Sequence, residues 1–372
     1  MYEVDIGNYI YFQNIRLGKG SFSEVFKGFN KSTKKLVAIK KIDMSDKKMF
    51  IYSKRELEIL KTLKNKNIVE LYDSVTSTNP DELPTLYLIL EYCENGDLSN
   101  FLNKKPLKEV YAQKYMRQFA NGMKYLRNKN IVHRDLKPQN ILIDKNYNLK
   151  ITDFNFAKIL DTNGSDLLQT ICGSPLYMSP EIVKNKSYTV KADLWSIGMI
   201  LYEMLIGKPP YKASNHYELI KKIDTQAIII PNCISISDNC KDLLHGLLQK
   251  NVNKRIGWIE FFNHPWLESL TIPESDTGTQ ESMSPGTEDD LVSSKIICHD
   301  DYFNGEITGQ SPSEKNGFIL VGSDLHETSS FKKDSPDTRS IPQSLFSYMN
   351  QSVNYLKTYI YTLPNPQSGD YL

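Results

Sequence analysis

The stretch "HRDLKPQN", residues 133–140, decides how this chain is interpreted. Asp135 can accept a proton from a hydroxyl group, and Lys137 can neutralise charge on a phosphoryl group in transit. Asn140, five positions beyond Asp135, carries an amide of the kind that holds a metal ion. Eight consecutive residues of this pattern are specific, so the string predicts a phosphoryl-transfer site.

A second acidic motif follows in "KITDFNFAK", residues 150–158. Asp153 is predicted to bind Mg²⁺ that bridges two phosphates of a nucleotide. The third position of this turn, where glycine is expected, holds Asn155. Asparagine is among the few non-glycine residues that enter the left-handed backbone region readily. We therefore expect Asn155 to alter regulation rather than to abolish the chemistry.

Upstream, "LGKGSFSEVF" at residues 17–26 places Gly18 and Gly20 in a turn between two strands. Such a hairpin lets backbone N–H groups approach phosphates. Ser23 stands where a third glycine would complete the motif, and an ordinary hairpin turn is the alternative interpretation.

The strand "VAIK" ends at Lys40, which can reach phosphates if an acid holds it. Glu56, sixteen residues further on a predicted helix, is the candidate acid. A solvated surface lysine is the alternative for Lys40 taken singly.

Composition and charge fit a globular protein with an extension. The 372 residues are 40% hydrophobic and 24% charged, and the net charge of +1 argues for neither nucleic acid nor membrane as a partner. Residues 271–372 hold 15 acidic and 6 basic side chains, whereas residues 1–270 hold 29 and 39. A basic body suits an anionic ligand such as a nucleotide.

Cysteine usage and apolar runs bear on location. The five cysteines form no C-x-x-C pair, so a zinc site or disulfide framework is not expected, and a cytoplasmic location is predicted. The N-terminus shows no secretory signal pattern. The longest apolar run, residues 195–207, is shorter than the roughly 20 residues of a spanning helix, and it is predicted to be a buried helix.

The pattern of elements predicts an α+β fold: a small β-rich N-lobe (about 9–92) with one key helix at 54–64, then a larger helical C-lobe (about 93–270). Residues 271–340 are rich in Ser, Thr, Pro and acids, which predicts a mostly disordered linker. Apolar residues recur at helical spacing in 341–363, which predicts an amphipathic helix.

Taken together, the ordered motifs resemble those of eukaryotic-type protein kinases over roughly residues 9–268, and this implies a bilobal kinase fold. Within that family, "CGSPLYMSPE", "KADLWSIG" and "LLQKNVNKRIGWIEFFNHPWL" resemble the ULK-type autophagy-initiating serine/threonine kinases. The resemblance implies ATP and Mg²⁺ as cofactors and Ser or Thr hydroxyls of proteins as acceptors. Glu181 would pair with Arg255, and Asp193 would hold the catalytic loop, residues 133–140, in place.

The resemblance also implies functional positions. Asp135, Lys137 and Lys40 would be catalytic, and Asn140 and Asp153 would hold the metal. The nucleotide would contact Leu17, Gly18, Gly20, Val25, Ala38, Lys40, Glu56, Glu91, Cys93, Asp97 and Leu142, although ordinary core packing is an alternative for the apolar members.

The segment between Asp153 and Glu181, called the activation segment below, carries the regulation and substrate specificity that the resemblance implies. Ser174 would contact Asp135 and Lys137. Thr170 would be phosphorylated and pair with Arg134, and an unmodified loop threonine is the alternative. An apolar residue is expected after the phosphoacceptor. A pseudokinase scaffold without turnover is the competing interpretation, favoured only by Asn155 and Ser23.

Two tail segments are candidate interaction sites. The helix at 344–363 has an almost uncharged polar face, which suits docking on a membrane or a partner, and packing back on the kinase domain is the alternative. Phe318 and Val321 resemble the aromatic-x-x-aliphatic motif by which extended segments add a strand to ubiquitin-like autophagy modifiers.

Overall fold

A computed structural model describes residues 2–20, 23–77, 84–160, 168, 173–268 and 317–321. Residues 341–363, the predicted amphipathic helix, lie outside this set, as does Thr170. The described part has a β-rich N-lobe and a helical C-lobe, so the predicted fold class is confirmed.

The N-lobe is built on one six-stranded antiparallel sheet. Its members in chain order are β1 (Glu3–Ile6), β2 (Tyr9–Lys19), β3 (Ser23–Asn30), β4 (Leu36–Asp43), β5 (Leu71–Ser77) and β6 (Thr85–Glu91), and their spatial order is β1-β2-β3-β4-β6-β5. Side chains of β4 alternate: Val37 and Ile39 join an apolar cluster on one face, while Ala38 and Ile42 face the main core. This alternation places Lys40 on the core side with Ala38.

Helix α1 (Lys47–Thr62) crosses the core side of the sheet and carries Glu56. It begins seven residues earlier than the sequence pattern predicts, because the Asp46 side chain accepts hydrogen bonds from the backbone N–H groups of Lys48 and Met49. Such a cap satisfies donors that a helix start otherwise leaves without partners.

The C-lobe is organised around α5 (Ala192–Ile206), in which every residue is buried, as predicted for the long apolar run. The other helices are α2 (Leu98–Leu102), α3 (Glu109–Asn128), α4 (Pro180–Val183), α6 (His216–Thr225), α7 (Asp238–Leu247), α8 (Trp258–Phe262) and α9 (Pro265–Glu268). Within the described residues, no helix combines the length and hydropathy needed to cross a bilayer.

Short strand pairs complete the C-lobe. They join β7 (Ile131–Val132) to β10 (Lys158–Ile159), β8 (Ile141–Ile143) to β9 (Leu149–Ile151), and β11 (Ile228–Pro231) to β12 (Gly317–Val321). Strand β12 lies in the stretch predicted to be a mostly disordered linker, and it pairs with β11 instead. Cys93 and Cys240 are free thiols buried in the core.

Candidate active site

The loop after β7 is held by a buried carboxylate at the start of α5. Asp193 accepts hydrogen bonds from the backbone N–H groups of His133 and Arg134, each at 3.0 Å. Burial raises the pKa of Asp193, although these backbone donors and His133 oppose the rise. These two hydrogen bonds fix the path of the loop after β7. Within it, the Arg134 backbone lies in the left-handed region at φ 67°.

Four polar side chains meet just beyond this brace. Lys137 Nζ lies 2.8 Å from Asp135 Oδ2 and 2.8 Å from Ser174 Oγ. Ser174 Oγ donates to Asp135 Oδ1 at 3.2 Å, and Asn140 Nδ2 donates to Asp135 Oδ2 at 2.9 Å. The structure thus brings Asp135, Lys137 and Asn140 together with Ser174 of the activation segment, as the resemblance implied.

A second charged cluster links the two lobes. Lys40 Nζ lies 2.7 Å from Glu56 Oε1 and 3.0 Å from Asp153 Oδ1. Burial lowers the pKa of Lys40, but the carboxylates of Asp153 and Glu56 outweigh burial and leave it raised. Lys40 is therefore a paired, charged lysine and not the solvated one that the alternative interpretation required.

The two clusters lie beside each other. The Thr152 backbone N–H donates to the Asn140 carbonyl oxygen at 3.0 Å, which joins the end of β9 to the loop that follows β7. Burial raises the pKa of Asp153, but the ammonium groups of Lys40 and Lys137 outweigh it and lower that pKa to about 2. Asp153 is thus an ionised carboxylate within the electrostatic reach of both lysines.

The Asp153 turn differs from expectation in one respect. The left-handed residue is Asp153, at φ 64°, and not Asn155. The argument that asparagine is tolerated there for its left-handed backbone is therefore wrong for this conformation. Phe154 is fully buried with its ring centroid 5.1 Å from that of His133, so the motif is anchored by packing before Asn155 is reached.

The apolar residues predicted to contact the nucleotide differ in how far they are exposed. Ala38 and Cys93 are buried in the main core, and Val25 and Leu142 pack against it, whereas Leu17 is 44% exposed. Strand pairing aligns Gly18 with Val25, and Val25 with Lys40. A Cβ built on Gly18 would meet nothing within 4 Å, while one on Gly20 would lie 3.0 Å from Ser23 Oγ.

Two acidic residues predicted to contact the nucleotide have side chains that bind other residues of the protein. Asp97 caps α2 by accepting from the Asn100 backbone N–H at 2.9 Å. Glu91, predicted for its backbone, also pairs through its side chain with buried Lys150 of β9 at 2.6 Å. Sequence reasoning missed Lys150, although a lysine inside the three-residue apolar strand β9 was a signal.

The activation segment is tied down on both sides of Ser174. Gly173 has φ +103°, and a Cβ there would lie 2.6 Å from the Arg134 carbonyl oxygen. This glycine was not singled out from sequence. Further along, Glu181 forms a bidentate ion pair with Arg255, at 2.8 and 2.9 Å. Arg134 Nε donates to the Phe156 carbonyl oxygen at 2.6 Å, while Thr170, its predicted partner, lies outside the described residues.

Comparison with known proteins identifies the family to which the chain belongs. The family model described as "Protein kinase domain" matches residues 11–267. The chain belongs to the protein kinase family. It is 47% identical over 272 residues to "Serine/threonine-protein kinase atg1" of Dictyostelium discoideum, which covers 70% of this chain and 39% of that protein.

Fungal relatives give the same picture. The chain is 37% identical over 296 residues to "Serine/threonine-protein kinase ATG1" of Pichia angusta, covering 67% of this chain and 36% of the relative. "Serine/threonine-protein kinase apg-1" of Neurospora crassa is 37% identical over 316 residues, with shares of 70% and 32%. The predicted resemblance to ULK-type kinases is confirmed, and the chain spans less than two fifths of the length of these relatives.

Proposed function

We propose that this protein transfers the γ-phosphate of ATP to Ser or Thr hydroxyls of protein substrates. The observation that carries the proposal is the convergence of Asp135, Lys137 and Asn140 beside the Lys40–Asp153 pair. A pseudokinase lacks one or more of these groups or separates them, whereas all are present and adjacent here.

The side chains divide the work by their positions. Asp135, whose carboxylate touches Lys137 and Ser174, orients the acceptor hydroxyl and takes its proton. Lys137 neutralises charge on the phosphoryl group during transfer, and Lys40 positions the phosphates of the nucleotide. Because phosphoryl transfer needs little covalent help from the protein, positioning and charge stabilisation supply most of the catalysis.

The residues present fit a nucleotide with Mg²⁺. Within the described part of the chain there is no cluster of three or more His, Cys, Asp or Glu residues that could hold a metal ion alone. Mg²⁺ needs only one or two carboxylates when substrate phosphates complete its shell, so Asp153 and Asn140 suffice to hold it. Bound there, Mg²⁺ would neutralise charge on the β- and γ-phosphates.

The nucleotide itself is proposed to lie under the glycine-rich hairpin. Nothing in the described protein occupies the space that a Cβ on Gly18 would enter, so the reason for glycine there is sought in a ligand. Leu17, Val25, Ala38 and Leu142 would enclose the adenine, and the backbones of Glu91 and Cys93 would form hydrogen bonds with it.

Transfer of labelled phosphate from ATP to a Ser-containing protein substrate tests the proposal. The full chain should transfer label, Asp135→Asn should lower the rate by about 10²–10⁴-fold, and the matched control Asp238→Asn, on the exposed start of α7, should leave it unchanged. Equal rates for the wild type and Asp135→Asn would refute the proposal.

Acceptor specificity follows from the activation segment. Pro175 and buried Met178 lie one and four positions after Ser174. Together with Ile171, which lies outside the described residues, they are proposed to receive an apolar residue that follows the phosphoacceptor. A peptide array should favour Ser or Thr over Tyr and an apolar residue at the next position. An array that demands a charged residue there would contradict the assignment.

Phosphorylation of Thr170 is proposed to activate the enzyme through Arg134. A phosphate opposite a guanidinium gains charge-assisted hydrogen bonds, and Arg134 already connects the catalytic loop to Phe156. Thr170→Ala should lower activity, and Thr170→Glu should restore part of it. Unchanged activity in Thr170→Ala would remove the proposal.

The setting is inferred from the relatives. The Atg1-type kinases support a role in an autophagy-like pathway, and a cytoplasmic location remains a prediction that imaging of the tagged chain tests. The predicted helix at 344–363 is proposed to dock on a membrane or a partner, which liposome flotation tests.

Residues 318–321 are proposed to bind a ubiquitin-like autophagy modifier by strand addition. The segment is already extended in β12, and Phe318, the aromatic anchor, is 48% exposed. Titration of a 310–330 peptide with such a modifier tests this, and absence of binding would dispose of it.

A further inference from the structure

The tail strand β12 lies on the C-lobe, far along the chain from the strand that it pairs with. It runs antiparallel to β11, with Phe318 opposite Ile230 and Val321 opposite Ile228. It also packs against α7. Among the described residues, β12 is the only strand that pairs with β11.

Burial along β12 is uneven. Leu320 is 2% exposed and belongs to the main apolar core, and Val321 packs against that core. Phe318 is about half exposed, and the Lys241 ammonium lies 5.5 Å from its ring centroid. The side chains that hold the strand in place are therefore Leu320 and Val321, while Phe318 contributes least.

The acceptor strand is fixed independently of the tail. Ile228 and Ile230 are buried in the core, and the Ile229 carbonyl oxygen accepts a hydrogen bond from the Tyr202 hydroxyl of α5 at 2.7 Å. An ordered strand that offers its backbone to another segment is a strand-addition site.

We propose that β11 and α7 form a docking site for the chain's own residues 317–321, and that docking hides this segment from strand-accepting partners. The second half rests on the proposed modifier-binding motif. Val321 is the aliphatic anchor of that motif, and it cannot pack against the C-lobe core and fill a partner's pocket at the same time. Docking and partner binding are therefore mutually exclusive.

The expected size of the effect follows from the docked fraction. A partner that binds only the undocked form sees its apparent affinity reduced by the fraction undocked, so a docked population of about nine-tenths weakens binding about tenfold. Because the segment belongs to the same chain, docking needs no second molecule.

Amide hydrogen exchange on the full chain tests docking. The amides of residues 228–230 and 317–321 should both be protected in the wild type. Protection should be lost in Leu320→Asp, which alters the tail, and in Ile229→Pro, which alters only the acceptor strand. Phe318→Ala should retain it. A wild type without protection of 317–321, or protection that both disrupting variants keep, would overturn the proposal.

Titration of the same four chains with a purified ubiquitin-like autophagy modifier tests the concealment. Ile229→Pro and Leu320→Asp should bind at least about tenfold more tightly than the wild type, and Phe318→Ala should not bind. Equal affinity of the wild type and Ile229→Pro would refute concealment. Exchange as expected with no binding by any chain would support the docking and refute the modifier motif instead.

Discussion

Replacing Arg255 should lower the free energy of unfolding strongly, because its guanidinium group is buried and hydrogen-bonded. It is 1% exposed and makes two hydrogen bonds to Glu181, at 2.8 and 2.9 Å. It also donates to the carbonyl oxygens of Lys191 and Gln249, each at 3.1 Å. Arg255→Met keeps the volume and removes every one of these donors.

The magnitude follows from what remains buried. Burial raises the pKa of Glu181, but Arg255 outweighs burial and lowers it, so the wild-type carboxylate is ionised. Removing one partner of such a pair costs about 3–5 kcal/mol because the other charge stays buried. For a domain of this size that corresponds to a fall of roughly 6–20 °C in Tm.

The pH dependence has a definite sign. In the variant, burial holds the folded-state pKa of Glu181 above its unfolded value, so protonation at acidic pH relieves the penalty. In the wild type the folded-state pKa is lowered, so the pair stabilises at neutral pH and its contribution is lost as pH falls. The difference between the two proteins should therefore be largest at pH 7 and shrink toward pH 4.5.

Urea unfolding followed by circular dichroism measures this difference. The double variant Glu181→Met/Arg255→Met should recover most of the loss, because it leaves no buried charge. A single variant within about 1 kcal/mol of the wild type at pH 7 would refute the reasoning, since a surface pair costs no more than that.

Three further outcomes are expected. Burial raises the pKa of Glu203 to about 7 although the Tyr177 hydroxyl opposes the rise, so wild-type stability should fall from pH 5 to pH 8. Glu203→Gln should remove about 2–3 kcal/mol of that fall in urea unfolding, and parallel profiles would contradict this. Gly173→Ala should lower kcat at least about tenfold, because its Cβ would displace the Arg134 carbonyl at a left-handed position; a wild-type kcat would show that the loop accommodates it. Asn155→Gly should leave the single-turnover transfer rate of the activated enzyme within about twofold while changing its activation; an inactive parent rescued by glycine would reverse this view.

The predictable part of the site is the part encoded by short, consecutive strings. In "HRDLKPQN" the spacing alone places Asp135, Lys137 and Asn140 within reach of one another, and one strand and one helix suffice to bring Lys40 to Glu56. The fold class followed from the switch between period-two and period-3.6 patterns.

The unpredicted part depends on contacts between distant segments. Gly173 is required by a backbone carbonyl thirty-nine positions earlier, and buried Lys150 of β9 pairs with Glu91 at the end of β6. The left-handed backbone of Asp153 is a conformation that non-glycine residues seldom adopt, so the sequence did not indicate it. The sequence did not predict that β12 pairs within the kinase domain, because the residues around it have the composition of a disordered linker. Its pairing with β11 becomes visible only in the structure.

Single-turnover phosphate transfer, measured together with ATP affinity, tests the central claim most directly. The account predicts that Asp135→Asn binds Mg·ATP as the wild type does and transfers phosphate at least about 10²-fold more slowly. Transfer by Asp135→Asn at the wild-type rate would contradict it, because the hydroxyl would then be activated by a group other than Asp135.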